Sequence, residues 1–157
     1  MPDTVKALAI ILAAATRGII VGILGYFTIN IFIPLHIHDP IIVLIYLVLT
    51  SFILGNIGLI CGLFANSFDQ MSMVTSYIVT PLSFLSGTFY SVHSLPEFWY
   101  KVSNFNPFFY MIDGIRYGII GYNDGNIITG ITYLIILNVI LFLFAIFWIK
   151  KGYRIKN

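Results

Sequence analysis

Charge is what this 157-residue sequence has least of: six Asp or Glu and eight Lys or Arg, together 9%, where soluble domains carry roughly 25%. So few ionic groups cannot hydrate a globular surface. The shortage excludes a disordered chain, a nucleic-acid binder with a basic face and almost every class of soluble enzyme. Cys61 is the single cysteine, so no disulfide forms within the chain, and it reads as a small apolar packing residue. No Gly-x-x-x-x-Gly-Lys-Ser/Thr stretch is present, so this chain has no phosphate loop with which to hydrolyse ATP. No catalytic dyad stands out, and His93 has no nucleophile with a motif around it.

What fills the space is apolar. Hydrophobic residues make up 59% and aromatics 17%, and the charges leave four stretches free of Asp, Glu, Lys and Arg: residues 18–38, 40–68, 70–96 and 125–149. A helix needs about 20 apolar residues to cross the hydrocarbon core, and each stretch is long enough. A charge at the bilayer centre costs roughly 2.5–3.5 kcal/mol on insertion scales, which is why crossings must be charge-free. The expectation is an all-α integral membrane protein, a single transmembrane domain over 1–157. It has crossings near Gly18–Leu35, Ile41–Phe64, Ser72–Tyr90 and Ile127–Ile149. An outer segment spans 91–126 and a tail 150–157. Runs such as Ile41–Leu49 lack the alternation of a β-barrel strand.

Cations set the orientation. Lys150, Lys151, Arg154 and Lys156 cluster in the tail, which places the C-terminus in the cytoplasm. Four crossings return the N-terminus, with Lys6 and Arg17, to the same side. Lys101 and Arg116 are left outside, accompanied by Glu97, Asp113 and Asp124. Upstream, Ala7–Ala15 has two readings. It is either the apolar core of a signal peptide, with Ala13, Ala14 and Ala15 as the cleavage site, or an interfacial or extended start to the first helix. Asp3 cancelling Lys6 argues against the former. As one helix, 7–35 would be about 43 Å long and would need a tilt or a bend near Gly18.

The outer segment predicts two short interfacial or re-entrant helices. Ser94-Leu95-Pro96-Glu97 has the form of a capping box, Leu95, Phe98, Trp99 and Val102 recur at helical spacing, and Glu97 and Lys101 make an i,i+4 pair. Asn106-Pro107 starts the second helix as N-cap and first residue, and Gly121 ends it. Asp113 and Arg116, three apart, can neutralise each other. Residues 84–122 hold twelve of the aromatics, either as a belt at the headgroups or as the lining of an exit. Pro81 removes a hydrogen bond to the carbonyl of Tyr77 and should kink its helix.

Several other features have ordinary explanations. Gly18-x-x-x-Gly22 and Gly58-x-x-x-Gly62 suit close helix packing. Asn30, Asn56, Asn138, Ser51, Ser76 and Thr80 are polar within apolar stretches, where they serve either a substrate path or helix-to-helix hydrogen bonds. His36, His38 and Asp39 lack the number of ligands a metal needs, and Asp39 suits the N-cap of Pro40.

The ordered set Phe64-Ala65-Asn66-Ser67-Phe68-Asp69, Thr80-Pro81-Leu82-Ser83-Phe84-Leu85-Ser86-Gly87-Thr88-Phe89-Tyr90-Ser91 and Leu95-Pro96, then Asn106-Pro107-Phe108-Phe109-Tyr110-Met111-Ile112-Asp113-Gly114-Ile115-Arg116-Tyr117-Gly118, resembles the membrane subunits of ABC type-2 transporters. The resemblance runs from about Arg17 to the C-terminus. It implies an exporter permease of the bacterial inner membrane that forms the translocation path. A separate ATP-binding subunit and a second permease copy, as a homodimer, would be its partners, and this chain would hold no cofactor of its own. Pro81, Tyr90, Tyr110, Asp113 and Arg116 are its candidate translocation or exit-gate positions. Family members usually have six crossings with a coupling helix before the third. The resemblance therefore also implies a truncated or split permease, or an internal translation start. The alternative is a membrane structural or assembly protein, or a decayed permease, that moves nothing. A membrane enzyme would have only Asp113 and Arg116 to work with.

Overall fold

The computed structural model describes residues 3–65, 67–89, 91 and 94–151, and the described residues are helical with no strand. Helix α1 runs unbroken over Asp3–Phe32, about 45 Å at 1.5 Å per residue. Nothing in that stretch interrupts it, and Pro34, which drives its predecessor out of the helical region, stops it. The Asn30 side chain then accepts from the Leu35 N–H at 2.9 Å, and the Tyr26 hydroxyl donates to the Leu35 carbonyl at 3.3 Å. Helix α2, Pro40–Phe64, begins as its sequence dictates. Asp39 is extended and its carboxylate accepts from the N–H groups of Ile41 and Ile42, while Pro40 needs no acceptor.

Beyond Ser67, whose hydroxyl accepts from Gln70 N–H, the chain forms α3 (Phe68–Val74), a π-helical turn (Thr75–Val79) and α4 (Thr80–Phe84) end to end. The short helices α5 (Glu97–Phe105) and α6 (Pro107–Ile120) lead to α7 (Ile127–Lys150), capped by the Asn126 side chain. Three of these helices, α1, α2 and α7, are long and apolar enough to cross a membrane.

Helix α2 is the axis of the molecule, with α1, α6 and α7 packed around it. One cluster of the core joins Ala7 and Ile11 of α1 to Leu59, Ala145 and Ile149. The other joins Tyr46 and Ile53 of α2 to Phe108, Met111 and Leu134. Large apolar side chains stand exposed along the far faces, among them Val21 and Leu24 on α1 and Ile136, Ile140 and Leu143 on α7. Such faces are stable only in an apolar solvent, and the chain is a multi-pass membrane protein.

Several expectations change. The first helix does not start at Gly18 but fifteen residues earlier, because Ala7, Ile11 and Ala15 are buried core positions rather than an appendage. Arg17 therefore lies within the helix rather than ahead of it. It lies beside Gly18, which packs on Ser51 near the middle of α2. The helical stretch expected at 72–90 occupies Phe68–Phe84 instead, about 25 Å long. It ends at the C-cap Leu85, whose ψ of −4° departs from the helical value, and Gly87 then adopts a φ of 77°. The capping box does not form. Pro96 precedes α5 without a side-chain cap, and Ser94 donates backwards to the carbonyl of Ser91 at 2.6 Å. The helix starts with Pro96 as its N-cap, two residues beyond Ser94, so Ser94 and Glu97 do not hold the N-cap and N3 positions that the box needs. The Glu97–Lys101 pair does form, at 2.6 Å and exposed.

Candidate functional site

Pro81 removes one donor from its helix, and the chain accommodates the loss by widening the preceding turn. Thr75–Val79 is π-helical, Thr80 N–H reaches back five residues to the carbonyl of Thr75, and Pro81 falls in the first turn of α4, where a missing N–H costs nothing. The Thr80 hydroxyl shares the Thr75 carbonyl at 3.0 Å and the Ser83 hydroxyl takes that of Val79 at 2.8 Å. The interruption is thus a hydrogen-bonded π turn.

A helix that stops this early exposes its last carbonyls. Here they are met by side chains from the next two helices. Asn106 Nδ2 donates to Leu82 O at 2.7 Å, Ser103 Oγ to Leu85 O at 3.1 Å, and Arg116 Nη2 to Gly87 O. Ser86 and Thr88 hydroxyls both serve the Ser83 carbonyl. Asn106 works twice, because its Oδ1 also accepts from Phe108 N–H as the N-cap of α6. Asn106→Ala removes both bonds, so a loss of about 1–2 kcal/mol is expected for the cap alone, with more for the orphaned carbonyl. Thermal unfolding in detergent measures it. A melting temperature equal to that of the parent protein would contradict this capping scheme.

Arg116 reaches that carbonyl from inside a buried ionic network. Its Nη1 lies 3.3 Å from Asp124 Oδ2 and 3.9 Å from Asp113 Oδ1. The nearer partner is therefore the carboxylate in the turn after α6, not the one three residues back on the helix. Asp113 is committed elsewhere: Oδ1 accepts from Asp124 N–H at 2.7 Å and Oδ2 from Gly125 N–H at 2.9 Å. Asp124 Oδ1 accepts from the hydroxyls of Ser91, at 2.8 Å, and Tyr122, at 2.9 Å. The side chains of Asp113 and Asp124 are 4% and 1% exposed and that of Arg116 19%. The cluster thus staples the end of α6, the turn into α7 and the exit of α4 to one another.

Tyr110, one turn earlier on α6, faces α7, with its ring 4.8 Å from that of Tyr133. Burial raises its phenol above the ordinary range, with Tyr133, Tyr100 and Asp113 adding to the effect. Of the five candidate positions, Asp113 and Arg116 share a network and Pro81 adjoins the carbonyl that Asn106 caps. Tyr110 packs against Tyr133 of α7, and Tyr90 lies outside the described residues, as do His93, Arg154 and Lys156.

Two further residues organise the region without having drawn notice in the sequence. Asp124 reads there only as one of the acidic residues that accompany Lys101 and Arg116. Tyr46 sits in the apolar run of α2, where a single tyrosine carries no motif. Its ring is 1% exposed, lies flat on Gly114 of α6, and its hydroxyl donates to Ile127 O at 2.8 Å beside Gly130 of α7. A hydroxyl isolated among Ile, Val and Leu was the available signal.

The remaining polar positions act as links between helices. Asn138 Nδ2 donates to Leu49 O and Leu134 O, and Asn56 Nδ2 to Phe52 O and, at 3.4 Å, to Asn138 Oδ1. Gly18 and Gly22 let α1 approach Ser51 and Leu47, whereas nothing lies within 4 Å of a Cβ placed on Gly58 or Gly62. His38 stacks edge-on against Tyr117 and covers Gly121. By contrast, Ser72, Ser76, Tyr77 and Thr80 are exposed along α3, the π turn and α4, interspersed with the exposed apolar side chains of Met73 and Ile78.

Comparison with known proteins gives a consistent answer. The family model described as ABC-2 type transporter matches residues 4–120. The chain is 38% identical over 141 residues to the inner membrane transport permease YadH of Escherichia coli K12, covering 90% of this chain and 55% of that protein. It is 29% identical over 132 residues to nodulation protein J of Rhizobium leguminosarum bv. viciae, covering 84% and 48%. The chain spans about half the length of these curated relatives. No solved structure matches.

Proposed function

Because the chain belongs to the ABC-2 type transporter family, we propose that it forms the translocation path of an exporter of the bacterial inner membrane. A separate ATP-binding subunit hydrolyses the nucleotide and a second permease copy completes the path. In this reading 1–157 is one transmembrane domain with both termini in the cytoplasm. Residues 68–89 form the remaining crossing, and α5 and α6 dip into the outer leaflet. Irregular backbone at membrane depth is tolerated where protein satisfies it, and the side-chain donors on Leu82, Ser83, Leu85 and Gly87 supply that condition.

The observation that carries the proposal is the exposed hydroxyls of Ser72, Ser76 and Tyr77 on the helix that the π turn interrupts, where Met73 and Ile78 are exposed beside them. Hydroxyls turned out of a helix into lipid gain nothing, whereas beside a water-filled path they are hydrated. Pro81 and the π turn give that helix a place to bend, and Arg116 fixes its exit. Thiol labelling tests this. In a Cys61→Ala background, Ser76→Cys should react with a membrane-impermeant maleimide in the assembled transporter. Ile136→Cys, on the apolar face of α7 and 54% exposed, should not. Equal inertness of the two cysteines would remove the support for a path along this helix.

A further inference from the structure

We infer that Arg17 is the docking point for a transmembrane helix, outside these 157 residues, that carries an aspartate or glutamate at mid-depth. Arg17 precedes Gly18, where an added Cβ would lie 2.7 Å from Ser51 Oγ. Ser51 is roughly 16 Å from the Pro40 end of α2 and roughly 20 Å from the Phe64 end at the helical rise. At the same level Asn138, midway along α7, donates to Leu49 O. Three long helices therefore pass one another here, and Arg17 lies near the middle of all of them.

Its side chain points away from them. The stripe Ala7, Ile11, Ala15, Gly18 and Gly22 faces the bundle, and Arg17 stands on the opposite face, exposed, with Ile10, Ala13, Val21 and Leu24 above and below it. Among the described residues it has no ion-pair partner. The half-thickness of the hydrocarbon core is about 15 Å, farther than an arginine reaches from mid-depth to a headgroup. A guanidinium in that position requires either water or a fixed counter-charge. The surrounding face argues against water, being Ile, Ala, Val and Leu apart from Thr16, whose hydroxyl is turned back to Ala13 O at 2.9 Å. It has instead the character of a helix-packing surface, with Ala13 small enough for close approach one turn from the charge.

This chain cannot supply the counter-charge from a second copy. Asp3 begins α1, Asp39 caps α2, Asp69 lies in the first turn of α3 and Glu97 in α5, all far from mid-depth. Asp113 and Asp124 are buried in their own network. The occupant is therefore a different helix with a carboxylate at that level. The inference needs only that the chain is inserted in a membrane, and it stands or falls separately from transport.

The test places a photo-crosslinking residue at Ala13 or Val21 of the full chain in bacterial inner membranes, with Ile136 as control. Adducts from 13 and 21, but not 136, are expected with one transmembrane segment bearing an Asp or Glu at mid-depth. Arg17→Leu, which inserts more readily than arginine, should lower the adduct at least about tenfold. Arg17→Glu should abolish it, and placing Arg at the partner's carboxylate should restore it. Adducts only to lipid or to a second copy of this chain, or an adduct unchanged in Arg17→Leu, would overturn the inference.

Discussion

Gly114→Ala is expected to be among the most damaging single-methyl changes in this chain. A Cβ there would overlap the Tyr46 ring, which is 1% exposed and tethered through its hydroxyl to Ile127 O at 2.8 Å. The ring has nowhere to go, because Gly130 stands on its other side, where a Cβ would meet the Tyr46 hydroxyl at 2.5 Å. Inserting an atom into a packed core costs about 1–3 kcal/mol and sometimes more. Here the strain falls on three helices at once, since Tyr46 joins α2 to both α6 and α7. Gly118→Ala belongs to the same class. Its Cβ would meet Val43 N at 2.9 Å and Asp39 O at 3.2 Å, backbone atoms that do not rotate aside.

Gly58→Ala and Gly62→Ala supply the contrast, because nothing lies within 4 Å of either Cβ. Alanine is favoured over glycine in a helix interior by up to about 1 kcal/mol, so these two should melt at or above the parent temperature. Detergent melting curves of the four variants decide the matter. Gly114→Ala as stable as Gly58→Ala would refute the Tyr46 clamp. Tyr46→Leu combined with Gly114→Ala should cost less than the two separate losses together, since removing the ring removes the overlap.

Arg116→Ala carries the second large effect. Asp124, with its side chain 1% exposed, would lose its arginine, and Gly87 O would lose a donor. Removing one member of a buried ion pair typically costs 3–5 kcal/mol, mostly as the penalty of the charge left behind. Arg116→Lys should recover only part of this. A single ammonium cannot reproduce the planar fork that serves a carboxylate and a carbonyl together. Asp113→Asn is the informative partner. Asp113 accepts from two consecutive backbone N–H groups, of Asp124 and Gly125. An amide oxygen can take only one, and its NH₂ would face the other. About 1–3 kcal/mol follows from leaving that donor unmet.

Reading insertion and ATP-dependent export together separates the roles of Arg116. If Arg116→Ala inserts and melts normally yet export is lost, the arginine acts in translocation. If insertion or melting fails, the network is structural. Unchanged stability and unchanged export would show that neither account of Arg116 holds.

The elements legible in the sequence are those whose causes are local. Asp39-Pro40, Asn106-Pro107 and Gly121 carry cap chemistry within a few residues, and each begins or ends a helix where that chemistry puts it. The Glu97–Lys101 pair is equally local. The capping box failed because Pro96 set the backbone before Ser94 could act. The extension of α1 back to Asp3 agrees with reading Ala7–Thr16 as an extended start to the first helix. That Ala7 and Ile11 are core there depends on Leu59, Ala145 and Ile149, which lie far away in sequence.

By itself the sequence determined that this chain lives in an apolar solvent, that it is helical, and that its family is the ABC-2 type transporters. These follow from composition, charge spacing and an ordered set of residues, none of which depends on which helices touch. Only the tertiary structure decided that Arg116 pairs with Asp124 more closely than with Asp113, that Tyr46 pins α6 and α7 to α2, and that Arg17 lies level with the middle of α2 and is exposed. Those outcomes depend on the relative height and rotation of helices. A lipid-exposed helix is apolar on all sides, so periodicity in the sequence cannot encode that rotation. It is set by a few glycines and polar atoms meeting across chain separations that no local pattern records.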